Sequence, residues 1–184
     1  MLDFYYSTMR GGKSTALLQR RHNLLSIGKR VLVLTSALDD RFEVGKVTSR
    51  MGPQCDAQVF HRETVFAMSA AFVNIDEVMI DEAQFLTSDQ VQQIHQNLCA
   101  GQDLRVSCFG LRSTFQGRPF EGAAWLLALA DALHEISTLC GCGSKATLNQ
   151  RVDGSGMPVR QGPELEIGGD TRYRPVCPKC FYEA

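Results

Sequence analysis

The sequence has no long apolar run and no excess of charge of either sign. No stretch approaches the roughly 18 consecutive apolar residues of a membrane-spanning helix, and 19 Lys and Arg against 20 Asp and Glu give a formal net charge of -1. The first absence argues against a membrane protein, and the second against the sequence-independent phosphate attraction of a protein that coats nucleic acid. The first residues also lack the basic start and apolar middle of a signal peptide. We therefore expect a cytoplasmic protein with no membrane or nucleic-acid partner.

The composition is that of a globular protein. Of the 184 residues, 44% are hydrophobic and 21% charged, which is too apolar for a disordered chain. No internal repeat or low-complexity tract is evident. This length supports one hydrophobic core and a small additional module.

Short apolar runs alternate with segments of helical periodicity. Residues 2–6, 31–34, 78–80 and 106–109 are predicted strands, and the runs without alternation are typical of strands covered on both faces. Helices are predicted after Ser14 as far as Gly28, from Ser88 to about residue 98, and over residues 123–133. Residues 39–52 are predicted to form a loop. This alternation predicts an α/β fold with a mostly parallel sheet flanked by helices.

A phosphate-binding motif follows the first predicted strand. Lys13 and Ser14 come after a Gly-rich turn and open a helix, which is the context of a P-loop. Backbone N–H groups of such a loop face phosphate oxygens, Lys13 adds a positive charge, and Ser14 can ligate Mg²⁺. One departure is that Ser7 stands where the motif has its first glycine. The predicted nucleotide-binding set here is Ser7, Thr8, Met9, Arg10, Gly11, Gly12, Lys13 and Ser14.

Two acidic residues end the third apolar run. Asp81 and Glu82 follow residues 78–80, so they are expected at the carboxyl edge of a buried strand beside the phosphate loop. Asp81 could then hold Mg²⁺ directly or through water, and Glu82 could act as a general base toward a hydroxyl group or water.

Four cysteines form two close pairs in the last part of the chain. Cys140 and Cys142 make one pair and Cys177 and Cys180 the other. In a reducing compartment such a set favours tetrahedral Zn²⁺ with no open position, and therefore a structural site. Four ordinary reduced cysteines remain the alternative. After Leu139 the composition becomes rich in Gly, Pro, Arg and Cys. We therefore predict a P-loop domain over residues 1–139 and a zinc-binding module over residues 140–184.

These motifs together resemble the type II thymidine kinases. The resemblance is carried by residues 81–85 (Asp-Glu-Ala-Gln-Phe), by residues 7–14 and by the paired cysteines, and it extends along essentially the whole chain. It implies a RecA-like P-loop fold that transfers the γ-phosphoryl of ATP to the 5′-hydroxyl of thymidine, and of deoxyuridine as well. Glu82 would be the catalytic base. The implied nucleotide ligands also include Asp39, Arg41, Asp81 and Gln84.

The resemblance further implies a nucleoside pocket. Residues 110–120 are similar to the family stretch that lines it, although Arg112 stands where the family often has Asp. Residues 166–173 resemble the loop, or lasso, that closes over thymidine, and Arg151 matches an arginine close to the sugar 5′-oxygen. The implied substrate-binding residues are Met9, Phe85, Leu111, Thr114, Phe115, Phe120, Arg151, Ile167, Gly168, Gly169 and Tyr173.

The resemblance also implies a homotetramer and feedback inhibition by thymidine triphosphate. Two other functions remain open from the residues alone. One is a P-loop ATPase that couples hydrolysis to remodelling of nucleic acid or protein through the Cys₄ module. The other is a non-catalytic nucleotide sensor whose phosphate binding is weakened by Ser7.

Overall fold

The computed structural model describes residues 1–39, 44–162 and 172–183. Over these residues the main sheet has six strands, all parallel, in the order β5-β2-β6-β7-β1-β8. These strands are β1 (Leu2–Ser7), β2 (Val31–Ser36), β5 (Gln58–Phe60), β6 (Glu77–Ile80), β7 (Arg105–Leu111) and β8 (Ala132–Glu135).

Smaller sheets surround this one. A hairpin pairs β3 (Lys46–Thr48) with β4 (Gln54–Asp56). The last part of the chain holds a two-stranded and a three-stranded antiparallel sheet. Their strands are β9 (Thr138–Leu139), β10 (Lys145–Ala146), β11 (Leu148–Val152), β12 (Pro158–Val159) and β13 (Tyr173–Val176).

Helices cover both faces of the main sheet, as predicted. The α-helices are α1 (Lys13–Ser26), α2 (Ser88–Gln93), α3 (Glu121–Leu129) and α4 (Pro178–Tyr182), with a π-helical segment over Ile94–Ala100 and short 3₁₀ turns over Ala70–Phe72 and Ala83–Phe85. On one face, Leu17 of α1 packs with Val33, Met79 and Phe109. On the other face, side chains of α2 and α3 pack against the alternate strand positions. The α/β fold with a parallel, P-loop-type sheet is therefore confirmed.

Three boundary predictions were wrong. The third helix ends at Leu129, because residues 132–135 pair with the outer edge of β1 as strand β8. The residue that caps α2 is Thr87 rather than Ser88, since the Thr87 side chain and Gln90 form a reciprocal capping box. The predicted loop over residues 39–52 contains β3, whose partner β4 could not be recognised from such short segments.

Around the four cysteines lies a separate small core. Buried Cys140, Ala146, Val176, Cys177 and Phe181 pack together there. No helix in the described parts of the chain is long and apolar enough to cross a membrane. The division into domains at residue 139 stays a prediction.

Candidate active site

A cleft of about 190 Å³ opens at the carboxyl ends of the parallel strands. The turn after β1, the acids after β6 and the end of β7 meet there, because parallel strands end at the same edge of a sheet. The tip of the β3–β4 hairpin forms another wall. The cleft is lined by residues 9–15 and by Asp39, Thr48, Ser49, Arg50, Met51, Asp81, Glu82 and Leu111.

The phosphate loop has the backbone that its sequence predicts. Arg10 and Gly12 have positive φ angles of 61° and 81°, and helix α1 begins at the next residue, Lys13. Lys13 is 9% exposed, and its ammonium donates to the Thr8 carbonyl at 3.0 Å. The loop therefore offers backbone N–H groups, a helix N-terminus and a positive charge to an anion in the cleft.

Ser7, the departure from the P-loop pattern, turns its side chain away from the cleft. Its hydroxyl donates to the Ile136 carbonyl at 2.6 Å and lies 3.0 Å from the Thr138 hydroxyl. The Ser7 Oγ occupies the space that Gly11 leaves open, since a Cβ on Gly11 would lie 1.8 Å from it. The missing glycine is thus replaced by an anchor between the phosphate loop and the chain before Cys140.

The acid pair contacts the phosphate loop directly. The Ser14 hydroxyl donates to Asp81 Oδ2 at 3.0 Å, whereas Asp81 Oδ1 is buried and has no hydrogen-bond partner among the residues that the structure describes. The pKa of Asp81 is raised to about 7, first by burial and then by the charge of Glu82, while the Ser14 hydroxyl and Lys13 oppose the shift. A bound cation would favour the carboxylate form. Ser14 and the unpartnered Asp81 oxygen are therefore a donor set that fits Mg²⁺.

Glu82 is held in an unusual backbone conformation. It has a φ of 52°, in the left-handed region, and is 6% exposed. The Gln84 side-chain N–H donates to the Glu82 carboxylate at 2.5 Å. The side-chain oxygen of Gln84, Oε1, accepts from the backbone N–H of Leu111 at 3.0 Å. Gln84 thus links the carboxylate to the end of β7. Its predicted role as a nucleotide ligand stays a prediction.

Aromatic side chains form two pairs on the predicted nucleoside side. Phe85 and Phe120 meet edge to face with ring centroids 5.9 Å apart. Phe115 meets Tyr173 at 6.4 Å, and the Arg151 guanidinium lies 4.9 Å from the Phe115 ring centroid. Five of the sequence-predicted substrate residues are therefore brought together in two small groups.

The loop after β7 is shaped by its own backbone. The Thr114 N–H donates to the Arg118 carbonyl at 2.8 Å, and the Thr114 hydroxyl accepts from the Gln116 N–H at 3.3 Å. Arg112, where the family often has Asp, donates to the Thr147 carbonyl at 3.2 Å. The described contacts of Thr114 and Arg112 are thus structural.

All four predicted metal ligands converge. The Sγ atoms of Cys140, Cys142, Cys177 and Cys180 lie within 4.8 Å of one another. Tetrahedral zinc with bonds of about 2.3 Å places its sulfur atoms about 3.8 Å apart, and the Cys142 and Cys177 Sγ atoms are 3.7 Å apart. The short Cys-x-Cys pair therefore reaches the cluster, and the set fits a tetrahedral metal ion.

The thiols of this cluster differ in acidity. The pKa of Cys142 is lowered to about 6 by the Ser144 hydroxyl and backbone, whereas the other thiols raise the pKa of Cys180 to about 12. A metal ion that binds all four sulfurs takes them as thiolates, so its binding displaces any thiol protons.

Comparison with known proteins agrees with this geometry. A family model described as "Thymidine kinase" matches residues 1–181. The chain belongs to the thymidine kinase family. The relatives it resembles are named thymidine kinase: one from Chromobacterium violaceum is 48% identical over 98% of this chain and 97% of its own length. Others from Albidiferax ferrireducens and Shewanella oneidensis are 44% and 45% identical, over 98% and 99% of this chain and 91% and 96% of their own lengths.

Membership of the thymidine kinase family confirms the predicted resemblance and enzyme class, and gives no support to the remodelling ATPase. The roles assigned to individual site residues of this chain remain predictions. Four of them lie outside the described residues: Arg41, Ile167, Gly168 and Gly169.

Sequence reasoning missed two groups of residues at the site. The first is the β3–β4 hairpin, which reaches the cleft because the Ser49 and Thr15 hydroxyls lie 2.7 Å apart. The second is Asn149 of β11, whose side chain accepts from the Met9 N–H at 2.7 Å. No local signal could have identified either, since both contacts join distant segments.

Proposed function

We propose that this chain transfers the γ-phosphoryl group of ATP to the 5′-hydroxyl of thymidine, giving thymidine monophosphate and ADP. The observation that carries the proposal is the cleft of a thymidine kinase family member in which the phosphate loop, Asp81 and Glu82 all meet. Deoxyuridine, which differs by one methyl group, is a second expected acceptor.

The ATP phosphates lie along the backbone N–H groups of residues 8–14 in this proposal. Lys13 adds a positive charge, and Asp39 and Arg41 are assigned to the same ligand. Ser14 and Asp81 are the residues that would hold Mg²⁺, which neutralises phosphate charge when bound. The unpartnered Asp81 oxygen supports this assignment.

Glu82 is proposed as the general base. The 5′-oxygen forms a bond to the γ-phosphorus while the bond from that phosphorus to the bridging oxygen of ADP breaks, and the hydroxyl proton passes to the Glu82 carboxylate. The hydrogen bond from Gln84 supports the role because it restricts the orientation of the carboxylate. Arg151 is assigned to charge stabilisation near the 5′-oxygen.

Thymidine is assigned to the aromatic side of the site. Phe85 and Met9 would contact the base, and Leu111, Phe115 and Phe120 would line the pocket. The proximity of Arg151, Phe115 and Tyr173 supports this assignment. Residues 167–169 are proposed to close over the pyrimidine through their backbone groups.

A structural Zn²⁺ is proposed at the four cysteines. Their closely grouped sulfur atoms support a closed tetrahedral site. This metal would hold together the small core around Cys140 and Phe181, and takes no part in the chemistry.

A homotetramer in the cytoplasm, inhibited by thymidine triphosphate, completes the proposal. Self-association is supported by exposed apolar side chains on α3 and on the outer strand β8, including Trp125 at 38% and Leu133 at 48% exposure. Light scattering on the purified protein tests the tetramer, and inhibition assays with thymidine triphosphate test the regulation.

The activity is tested by supplying Mg-ATP with thymidine, deoxyuridine, deoxycytidine or no acceptor, and measuring nucleoside monophosphate and ADP together. Thymidine monophosphate formed in a 1:1 ratio with ADP is the expected result. ADP formed at the same rate without an acceptor would instead assign the site to hydrolysis. Nucleotide binding with no ADP would assign it to the sensor.

A further inference from the structure

Asn149 joins three segments that are far apart in the sequence. It lies on β11, is 3% exposed, and its side-chain oxygen accepts from the backbone N–H of Met9 at 2.7 Å. Its side-chain nitrogen donates to the Ser113 carbonyl at 3.4 Å. Met9 is in the phosphate loop, and Ser113 follows β7.

The orientation of this amide is determined by its two partners. A backbone N–H can only donate and a backbone carbonyl can only accept, so the Asn149 oxygen must face Met9 and its nitrogen must face Ser113. Among side chains of this size and shape, Leu makes neither hydrogen bond and Asp makes only the first. This position therefore requires a side chain that, like an amide, carries one hydrogen-bond donor and one acceptor.

The contact with Met9 acts on the part of the loop that must be preorganised. Met9 precedes Arg10 and Gly12, two residues of the phosphate loop with positive φ, and all three line the cleft. A phosphate loop binds anions through N–H groups that already point at the ligand. Its affinity therefore falls when the loop must be ordered on binding.

A second anchor holds the beginning of the same loop. The Ser7 hydroxyl donates to the Ile136 carbonyl at 2.6 Å. Ser7 and Met9 are thus both hydrogen-bonded to the last part of the chain. Ser7 binds the segment before Cys140, and Met9 binds the strand after Cys142. Both anchors act on the first residues of the loop, directly before Arg10 and Gly12.

We infer that Asn149 is a positioning residue for the phosphate donor, which holds the phosphate loop in its ATP-binding conformation from the C-terminal module. The inference rests on the proposed ATP site. It assigns Asn149 no contact with either substrate.

The test compares Asn149→Leu with Asn97→Leu. Asn97 is a matched control because its side chain also donates to a backbone carbonyl, that of Phe66 at 2.9 Å, away from the cleft. We expect the KM for ATP, and the Kd for ATP measured by calorimetry without thymidine, to rise about 10-fold in Asn149→Leu. The kcat at saturating ATP should stay within about threefold. Asn97→Leu should lower the melting temperature but leave these constants within twofold.

Values of KM and Kd for ATP within twofold of the parent in folded Asn149→Leu would overturn the inference. If that variant does not fold, Asn149→Ser serves, with exchange of the Met9 amide proton followed by NMR. Faster exchange together with weaker ATP binding supports the inference, whereas unchanged exchange or unchanged binding contradicts it. The calorimetric and exchange measurements need no acceptor, so they remain decisive even if thymidine is not phosphorylated.

Discussion

At the residue scale, two neighbouring carboxylates have different surroundings. Asp81 contacts the Ser14 hydroxyl and has one oxygen without a partner in the described parts of the chain, whereas Glu82 accepts a hydrogen bond from Gln84. The first environment suits a cation and the second restrains a base. Their different surroundings, and the different roles proposed for them, go with the turn after β6, where Glu82 has a left-handed backbone conformation.

Glu82→Gln should reduce kcat by roughly 10²–10⁴-fold, the usual cost of a lost general base. The amide can still accept the hydrogen bond from Gln84, so the fold of the turn is retained. Steady-state kinetics and calorimetric Kd values for ATP and thymidine check this. Glu121→Gln, which alters an exposed acid outside the cleft, is the control. A kcat near that of the parent would remove Glu82 from the role.

Gly11→Ala should weaken ATP binding by at least about 10-fold. The new Cβ would lie 1.8 Å from Ser7 Oγ and 2.6 Å from Thr138 Oγ1, so the phosphate loop must shift. Calorimetric titration with ATP measures the effect. Gly154→Ala is the matched control, because a Cβ there meets no atom of the described residues within 4 Å. Equal affinities for the two variants would contradict this account of the loop.

At the scale of elements, an ion pair between buried Glu77 and partly exposed Arg20 joins helix α1 to the main sheet. Arg20 donates two hydrogen bonds to Glu77 of β6, at 2.6 and 2.8 Å, and Ser107 of β7 donates a third at 2.6 Å. Glu77 is 2% exposed. Arg20 lies in the middle of α1, the helix that follows the phosphate loop, and Glu77 is the first residue of β6, at the opposite end of that strand from the cleft.

Glu77→Gln should lower the free energy of unfolding by about 2–3 kcal/mol. Removing one partner of a buried ion pair leaves the other charge uncompensated, which usually destabilises a protein by about 3–5 kcal/mol. The partial exposure of Arg20 reduces that cost. Urea denaturation measures the free energy of unfolding of both proteins. Lys145→Gln, in an exposed pair with Glu135, should change stability by less than about 1 kcal/mol. Equal losses in the two variants would refute a special contribution from Glu77.

At the scale of the whole molecule, the cysteine cluster and the phosphate loop are parts of one connected structure. The chain before Cys140 accepts a hydrogen bond from Ser7, and the strand after Cys142 supplies Asn149 to Met9. The Cys₄ site is therefore expected to influence nucleotide binding through backbone position. No metal–nucleotide contact is needed for this effect.

Removal of metal should abolish most of the kinase activity and lower the melting temperature. Bound metal stabilises only the folded arrangement of its ligands. Purified parent protein should contain about one zinc per chain by mass spectrometry, and Cys177→Ala should lose it. Cys55→Ala, a buried cysteine outside the cluster, should retain it. A metal-free parent with full activity and stability would refute a structural zinc.

Contiguous motifs were predictable from the sequence because their chemistry depends on spacing along the chain. The phosphate loop, the acids after β6 and the α/β alternation belong to this group, and each was found where the pattern indicated. The family followed from the same motifs. Strand β8 was not predictable, since its apolar residues suit a helix equally well and only pairing with β1 decides between the two.

The sequence by itself therefore determined the fold class, the phosphate loop, the acid pair and the four thiols. Tertiary structure decided that Ser7 serves as an anchor, that Gln84 links Glu82 to Leu111 at the end of β7 and that Asn149 supports Met9. The physical reason is the range of the interactions. Spacing within one turn or strand end places side chains locally, whereas hydrogen bonds between residues 27 to 140 positions apart exist only after the chain has packed.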